Sequence, residues 1–283
     1  MSILLPLTAA LAITAAPQSD WTEPLEPFEI ADDLYYVGSA GLAAYLFASD
    51  EGHILLDVPL DENVPMIVEN VRRVGLDPDD IEVLIASHAH FDHVGGLARM
   101  REITGAQVVL SEGDAALIAA GGAGPAGAGA FPPVRADRVI QHQETVRSGG
   151  WTLTAHVTAG HTPGCTSWSG TATIGGAPLT FVSVCSLSVL PGYRLVGGDA
   201  TFPGMGAAYC RSVALLRSLT PDIFLAPHGS FIDLEAKLAA LRRGEPRAFV
   251  DAEGYRDYVE RAAAAIERAL TEQGHTGGCA TLR

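Results

Sequence analysis

The sequence predicts an α/β protein of αββα architecture, two mixed β-sheets packed face to face with helices on their outer faces. Three observations carry this. Short apolar runs bounded by turn residues recur in both halves of the chain, and helix-periodic segments accompany them in both halves. No linker-like break or short-period repeat divides the 283 residues.

Residues 34–37 and 44–47 read as strands around a glycine turn at 38–41, and 53–57 reads as a third. A helix is expected over 63–74, where Val64, Ile67, Val68 and Val71 fall at helical spacing before Gly75. Residues 81–86 form a buried strand that leads into a histidine-rich turn. Gly95-Gly96 then opens a helix over 97–103, followed by a strand at 108–110. The stretch 121–133 holds five glycines and three prolines without an apolar period, so it is expected to be a loop, either a surface insertion or a flap over a site. In the second half, strands are expected at 151–157, 178–184 and 223–226, and helices at 207–219, 234–243 and 255–273.

Composition narrows the function classes. Hydrophobic residues make up 48% and charged residues 18%, the balance of a compact enzyme rather than a disordered chain. Eighteen basic residues face 33 acidic ones, a net charge of −15, with no Lys/Arg run, which argues against a nucleic-acid partner. Residues Ile3 to Ala16 are apolar, rich in Ala and Leu, and end in small residues before Pro17. That run is short for a bilayer span and reads as a secretory signal over residues 1–16, although no Lys or Arg precedes it. Residues 17–283 are then expected to form one domain in the periplasm, monomeric by default and free of the membrane once the signal is removed. Four cysteines with no Cys-x-x-Cys pair suit an exported protein with zero to two disulfides.

The chemistry concentrates in His88-Ala89-His90-Phe91-Asp92-His93, four strong metal ligands within six residues, directly after a buried strand. Alternation along the chain sends His88 and His90 to one side, so both can reach one metal. A turn beginning at Phe91 swings Asp92 and His93 towards a second. His161, within Gly160-His161-Thr162-Pro163-Gly164, and His228, within Pro227-His228-Gly229, each follow an expected strand, which places all six ligands along one edge of the sandwich. Six ligands suit two ions. His88, His90 and His161 form one three-ligand site with an open position for water, and Asp92, His93 and His228 form the other. Histidine-rich ligation with few carboxylates favours two zinc ions over magnesium or calcium, with iron and manganese as alternatives, and bound zinc lowers the pKa of a water to about 7. His53, His142, His156 and His275 show no ligand spacing and are expected to be structural or exposed.

The pattern His-x-His-x-Asp-His, a Gly-His turn and a late Pro-His-Gly resembles the metallo-β-lactamase superfamily, from about Pro27 to the C-terminal helix. Residues Gly160 to Trp168 and Ser186 to Tyr193 are similar to the corresponding segments of its subclass B3, where a serine commonly stands in place of Cys165. Glyoxalase II-type relatives place a bridging aspartate, and subclass B1 a cysteine, where this chain has Ser186, 25 residues after His161. Asp199, 38 residues after His161, lies too far along to take that place. Subclass B2 replaces the first histidine, whereas His88 is intact.

The resemblance implies the metallo-β-lactamase fold and zinc-dependent hydrolysis of the amide bond of a small-molecule β-lactam, with Asp92 orienting the attacking hydroxide. It also implies that Ser186 and Ser188 bind the substrate carboxylate, sharing one face of a strand, and that Tyr193 borders the pocket. Hydrolysis of lactones or thioesters by the same metals is the alternative. Many B3 enzymes join the last ligand's strand to the C-terminal helix by a disulfide. Here Pro221 fills the first neighbourhood and residues 244–262 lack cysteine, so Cys165–Cys185 or Cys210–Cys279 are the candidate substitutes.

Overall fold

A computed structural model describes residues 18–282; the expected signal segment, residues 1–16, lies outside them. The chain runs β1 (Phe28–Ala31), β2 (Leu34–Tyr36), β3 (Tyr45–Phe47), β4 (His53–Leu56), α1 (Val64–Arg73), β5 (Ile81–Ile85), α2 (Phe91–Val94), α3 (Leu97–Thr104), β6 (Gln107–Ser111) and α4 (Glu112–Ala119). It continues through β7 (Arg138–Ile140), β8 (Thr145–Ser148), β9 (Trp151–Val157), β10 (Thr166–Ile174), β11 (Ala177–Ser183), α5 (Met205–Ser218), β12 (Ile223–Leu225), α6 (Leu234–Arg242) and α7 (Ala252–Glu272).

Seven strands form one sheet in the order β1-β2-β3-β4-β5-β6-β7, and five form the other in the order β12-β11-β10-β9-β8. Both are mixed. The first is antiparallel from β1 to β4 and parallel from β4 to β7, and the second is antiparallel except where β12 joins β11. Period-two alternation divides the first sheet's side chains between two cores. Tyr45, Phe47, Ile54, Leu56, Val83 and Ile85 face the second sheet, with Phe47 stacked on Phe181 and edge-on to Trp151. Leu46, Leu55 and Leu84 face outward, under Val64, Ile67, Val68 and Val71 of α1 and Leu97 and Met100 of α3. Helices α5 and α7 cover the other sheet through Tyr209, Val213, Val259 and Ile266. The layers are therefore helix, sheet, sheet, helix, as expected. Among the described residues no helix is long and apolar enough to cross a membrane.

Four strands were not legible, β1, β7, β8 and β10. Strands β7 and β8 are short, with partly exposed, charged sequences. Strand β10, nine residues long, is rich in Thr, Ser and Gly. Its polar side chains are satisfied internally, as where Ser167 bonds Thr158 at 2.8 Å and receives the Cys185 N–H at 3.0 Å. Both candidate disulfides are formed, Cys165–Cys185 and Cys210–Cys279. The second ties α5 to the C-terminal turn that follows α7.

Candidate metal centre

The first ligands follow β5 directly. Residues 86–89 carry the chain past its last paired residue, and His90, extended, opens the short helix α2. His88 and His90 thus precede the helix, while Asp92 and His93 lie in its first turn. His161 sits in the turn between β9 and β10, and His228 directly precedes a one-turn 3-10 helix after β12. The six residues converge as two groups, His88/His90/His161 and Asp92/His93/His228, whose candidate ligand atoms lie within 4.8 Å of one another in each group. All except the half-buried His228 are buried.

A nitrogen that binds a metal needs its ring held from the other side. His88 Nδ1 contacts the Ser87 hydroxyl at 3.0 Å, which leaves its buried Nε2 without a partner among the described residues. His90 Nε2 meets the Ala126 carbonyl at 2.9 Å, and His161 Nδ1 meets the Ser188 carbonyl at 2.7 Å. His93 Nδ1 faces Asp57 at 3.4 Å, with its Nε2 3.2 Å from His228 Nε2 and 3.3 Å from Asp92. These imidazoles thus turn one nitrogen to an oxygen and the other to the shared space.

Burial, with His93 and His90 nearby, holds His88 well below the ordinary histidine range. Burial brings His161 and His228 down to about 3. Neutral imidazole is the form that binds metal. His93 differs: burial opposes its charge, but Asp92 and Asp57 raise it to about 10. Asp92 is held below the carboxylate range by His93 and His228, against the cost of burial. A buried cluster with an orphaned nitrogen and a carboxylate that favours positive charge fits a cation in each group.

Two aspartates that support these loops escaped the sequence reading. Asp57, expected as the last residue of a strand, instead has a left-handed φ of 65° just beyond β4. It accepts the Ser87 N–H at 2.6 Å and the Ser87 hydroxyl at 2.7 Å. Asp114, in the first turn of α4, accepts from the Ala89 N–H at 2.9 Å, the Thr162 hydroxyl at 2.6 Å and the Gly164 N–H at 2.7 Å. It therefore joins the first ligand loop to the His161 turn. Glycine permits that approach, since a Cβ on Gly113 would strike Pro163 and one on Gly164 would strike Asp114. In sequence Asp114 looks like an ordinary helix-start charge; only its buried apolar surroundings set it apart.

The remaining expected residues fall as follows. Ser186 and Ser188 do not share a strand face, because β11 ends at Ser183 and the next residues are irregular. The backbone leaves the sheet there to reach the ligands: the Ser188 carbonyl meets His161, and the buried Ser186 oxygen receives the Ser188 N–H at 3.2 Å. Tyr193 reaches the ligands themselves, donating to the His161 carbonyl at 2.9 Å and lying 3.3 Å from His90 Nε2. Asp199 stays outside, in an exposed pair with Arg194. The glycine-rich stretch 121–133 is neither a plain insertion nor free of the site. Its Ala126 and Ala128 carbonyls bind His90 and the Phe91 N–H, so it braces the first ligand loop. Trp21, unremarked in the sequence, lies 5.8 Å from the His228 ring and 6.0 Å from that of Phe91, walling the second group.

The family model of the metallo-β-lactamase superfamily matches residues 42–171. Native FEZ-1 metallo-β-lactamase from Legionella gormanii superposes with a TM-score of 0.86 and 37% identity, over 90% of this chain and 98% of that one. This chain belongs to the metallo-β-lactamase superfamily. BJP-1, a subclass B3 metallo-β-lactamase of Bradyrhizobium japonicum, matches with a TM-score of 0.84 and 35% identity, over 90% of this chain and 97% of that one. As a metallo-β-lactamase-type hydrolase, the chain stands beside subclass B3. Among curated relatives, the N-acyl homoserine lactonase AiiA of Bacillus thuringiensis is 33% identical over a segment that covers 18% of this chain and 30% of the lactonase.

Proposed function

We propose that the protein hydrolyses the amide bond of β-lactam antibiotics with two zinc ions, one held by His88, His90 and His161 and the other by Asp92, His93 and His228. The observation that carries this reading is the reach of the likeness, 98% of FEZ-1 against 30% of the lactonase. When bound, the zinc ions supply Lewis acidity and a water acidified to about neutral pH. The chain's residues do the rest. Asp92, kept ionised, accepts a hydrogen bond from the attacking water, orients it, and passes its proton to the departing ring nitrogen. Ser188 offers its hydroxyl to the substrate carboxylate, and Ser186 shapes the segment that presents it. Tyr193 fixes the His161 and His90 loops. Trp21 and Phe91 keep water from one side of the reacting bond.

EDTA treatment is expected to abolish nitrocefin hydrolysis and added zinc to restore it. Full activity in protein shown to be metal-free sinks the reading.

The lactonase segment favours a second reading, cleavage of lactones by the same residues. A higher kcat/KM for hexanoyl homoserine lactone than for benzylpenicillin, imipenem or nitrocefin decides for it. Two disulfides support placing the activity in an oxidising compartment such as the periplasm. Fractionation of expressing cells tests that placement.

A further inference from the structure

The segment between β11 and α5, residues 184–204, contains no helix or strand, so its backbone groups must find partners outside a regular ladder. It carries Tyr193, whose hydroxyl donates to the His161 carbonyl at 2.9 Å and lies 3.3 Å from His90 Nε2. What holds Tyr193 in turn comes from the far end of the chain. Gln273 Nε2 donates to the Tyr193 carbonyl at 2.8 Å, and Gln273 Oε1 accepts the Leu195 N–H at 2.7 Å.

One side chain thus grips a carbonyl and an N–H two residues apart, as a residue on a parallel neighbouring strand would. The chemistry fixes the way round of the amide, since only its oxygen can accept the Leu195 N–H and only its NH2 can donate to the Tyr193 carbonyl. Leu195 is buried, and its carbonyl accepts the Gly206 N–H at 2.9 Å. The Tyr193 N–H goes to the Leu190 carbonyl at 3.0 Å, which leaves Gln273 to hold the other side of that peptide. Gln273 itself has a firm base. It caps α7, whose Tyr255, Val259, Ile266 and Leu270 are buried in the core, and Gly274, with a φ of 80°, ends the helix directly after it. A polar residue at a helix end ordinarily meets water; the half-buried Gln273 instead commits both ends of its amide to the loop that reaches His161 and His90.

We propose that Gln273 is a positioning residue for the first ligand group: it fixes Tyr193 against His161 and His90, so that the end of α7 sets how firmly that group holds its ion. This rests on the two-zinc reading of the site. Gln273 acts through Tyr193 alone, since its hydrogen bonds go to residues 193 and 195 and not to a ligand. A ligand turn already held in place loses less freedom when an ion binds, and so binds it more tightly.

The test compares wild type, Gln273→Ala, Gln273→Glu, Tyr193→Phe and Tyr193→Phe/Gln273→Ala by zinc competition with a chromogenic chelator. In Gln273→Ala one of the two ions is expected to be held about three- to tenfold more weakly, less than the roughly 10- to 100-fold loss typical of a direct partner of a ligand, with the other ion unchanged. Gln273→Glu keeps an acceptor for the Leu195 N–H but sets an oxygen against the Tyr193 carbonyl, so it is expected to lose at least as much. Adding Gln273→Ala to Tyr193→Phe is expected to cost nothing further, because the tyrosine hydroxyl is the link. Unchanged affinity in Gln273→Ala, equal weakening of both ions, wild-type affinity in Gln273→Glu, or losses that add in the double variant each overturn the assignment. Amide hydrogen exchange in the metal-free chains reads the same coupling without zinc. Exchange in the turn at 160–162 is expected to quicken about threefold or more in Gln273→Ala and to be equal in Tyr193→Phe and the double variant. Unchanged exchange there in Gln273→Ala overturns the role. Should wild type cleave no β-lactam or hold no zinc, the proposed activity falls and the exchange measurement still decides what Gln273 does.

Discussion

His161 Nδ1 lies 2.7 Å from the Ser188 carbonyl oxygen, which also accepts the Tyr209 hydroxyl at 2.6 Å. Ser188 thereby orients a candidate ligand through its backbone, and the residue also lines a neighbouring cavity of about 310 Å³. Truncating the side chain leaves the carbonyl in place. Ser188→Ala is expected to keep the full zinc content and raise KM for penicillins several-fold with little change in kcat. The double variant Ser186→Ala/Ser188→Ala is expected to lose stability as well, because Ser186 bonds the Ser188 N–H and Tyr258. Steady-state kinetics with zinc determination by mass spectrometry checks both; an unchanged KM for every β-lactam removes the anchoring role.

The division of ligands predicts how metal is lost. Removing His161 takes one of three ligands from the first group, and removing His228 takes one from the second. Each alanine variant is expected to hold one zinc per chain after dialysis where wild type holds two. Equal loss of both ions from either variant speaks against two separable sites.

Asp114 carries a signed pH dependence. Burial raises its carboxyl from 3.8 to about 6, against three hydrogen bonds that favour the ionised form. Between those values the folded chain binds more protons than the unfolded chain, so this group's contribution to stability falls as pH rises from about 4 to about 6 and levels off above. Asp114→Asn lacks that slope. It also turns an amide donor towards the Ala89 and Gly164 N–H groups, which is expected to cost about 2 kcal/mol. Urea unfolding of metal-free wild type and variant at pH 4.5 and 7.5 measures the difference, in which the titration of the shared histidines cancels. A wild-type advantage that grows with pH over this range contradicts the assignment.

The two disulfides predict different losses. Cys165–Cys185 closes a loop of sequence separation 20 and Cys210–Cys279 one of 69, so serine pairs are expected to cost about 3 and about 4 kcal/mol on the chain-entropy model. The smaller loss carries the larger functional effect. Cys165 follows the His161 turn by four residues and Cys185 precedes Ser186, so opening that bond frees the turn from the segment that orients it. Zinc affinity is expected to fall in Cys165→Ser/Cys185→Ser and to hold in Cys210→Ser/Cys279→Ser, as read by competition with a chromogenic chelator.

The sandwich and the six converging residues were legible because each has a strong local signature, an apolar period or a dense run of ligands. What escaped depends on long-range burial. Strand β10 reads as a polar stretch until its hydroxyls find partners inside the sheet. Asp57 and Asp114 look like a strand-end and a helix-start carboxylate, and only the fold brings Ser87, Ala89 and Thr162 to them. The serine segment keeps its place beside His161, but by leaving the sheet rather than by strand alternation.

Each ligand group draws residues from the two separate sheets: the His88–His93 loop follows β5, while His161 follows β9 and His228 follows β12. An ion in either place would be a further rivet between halves of the sandwich, beside their side-chain packing and hydrogen bonds such as that from the Thr166 N–H to the Ser87 carbonyl. Its binding energy then counts towards folding, growing with the logarithm of free zinc. Zinc scarcity would therefore thin the population of intact molecules as well as slow their turnover, because the unriveted chain opens more often and the opened form is what proteases cut.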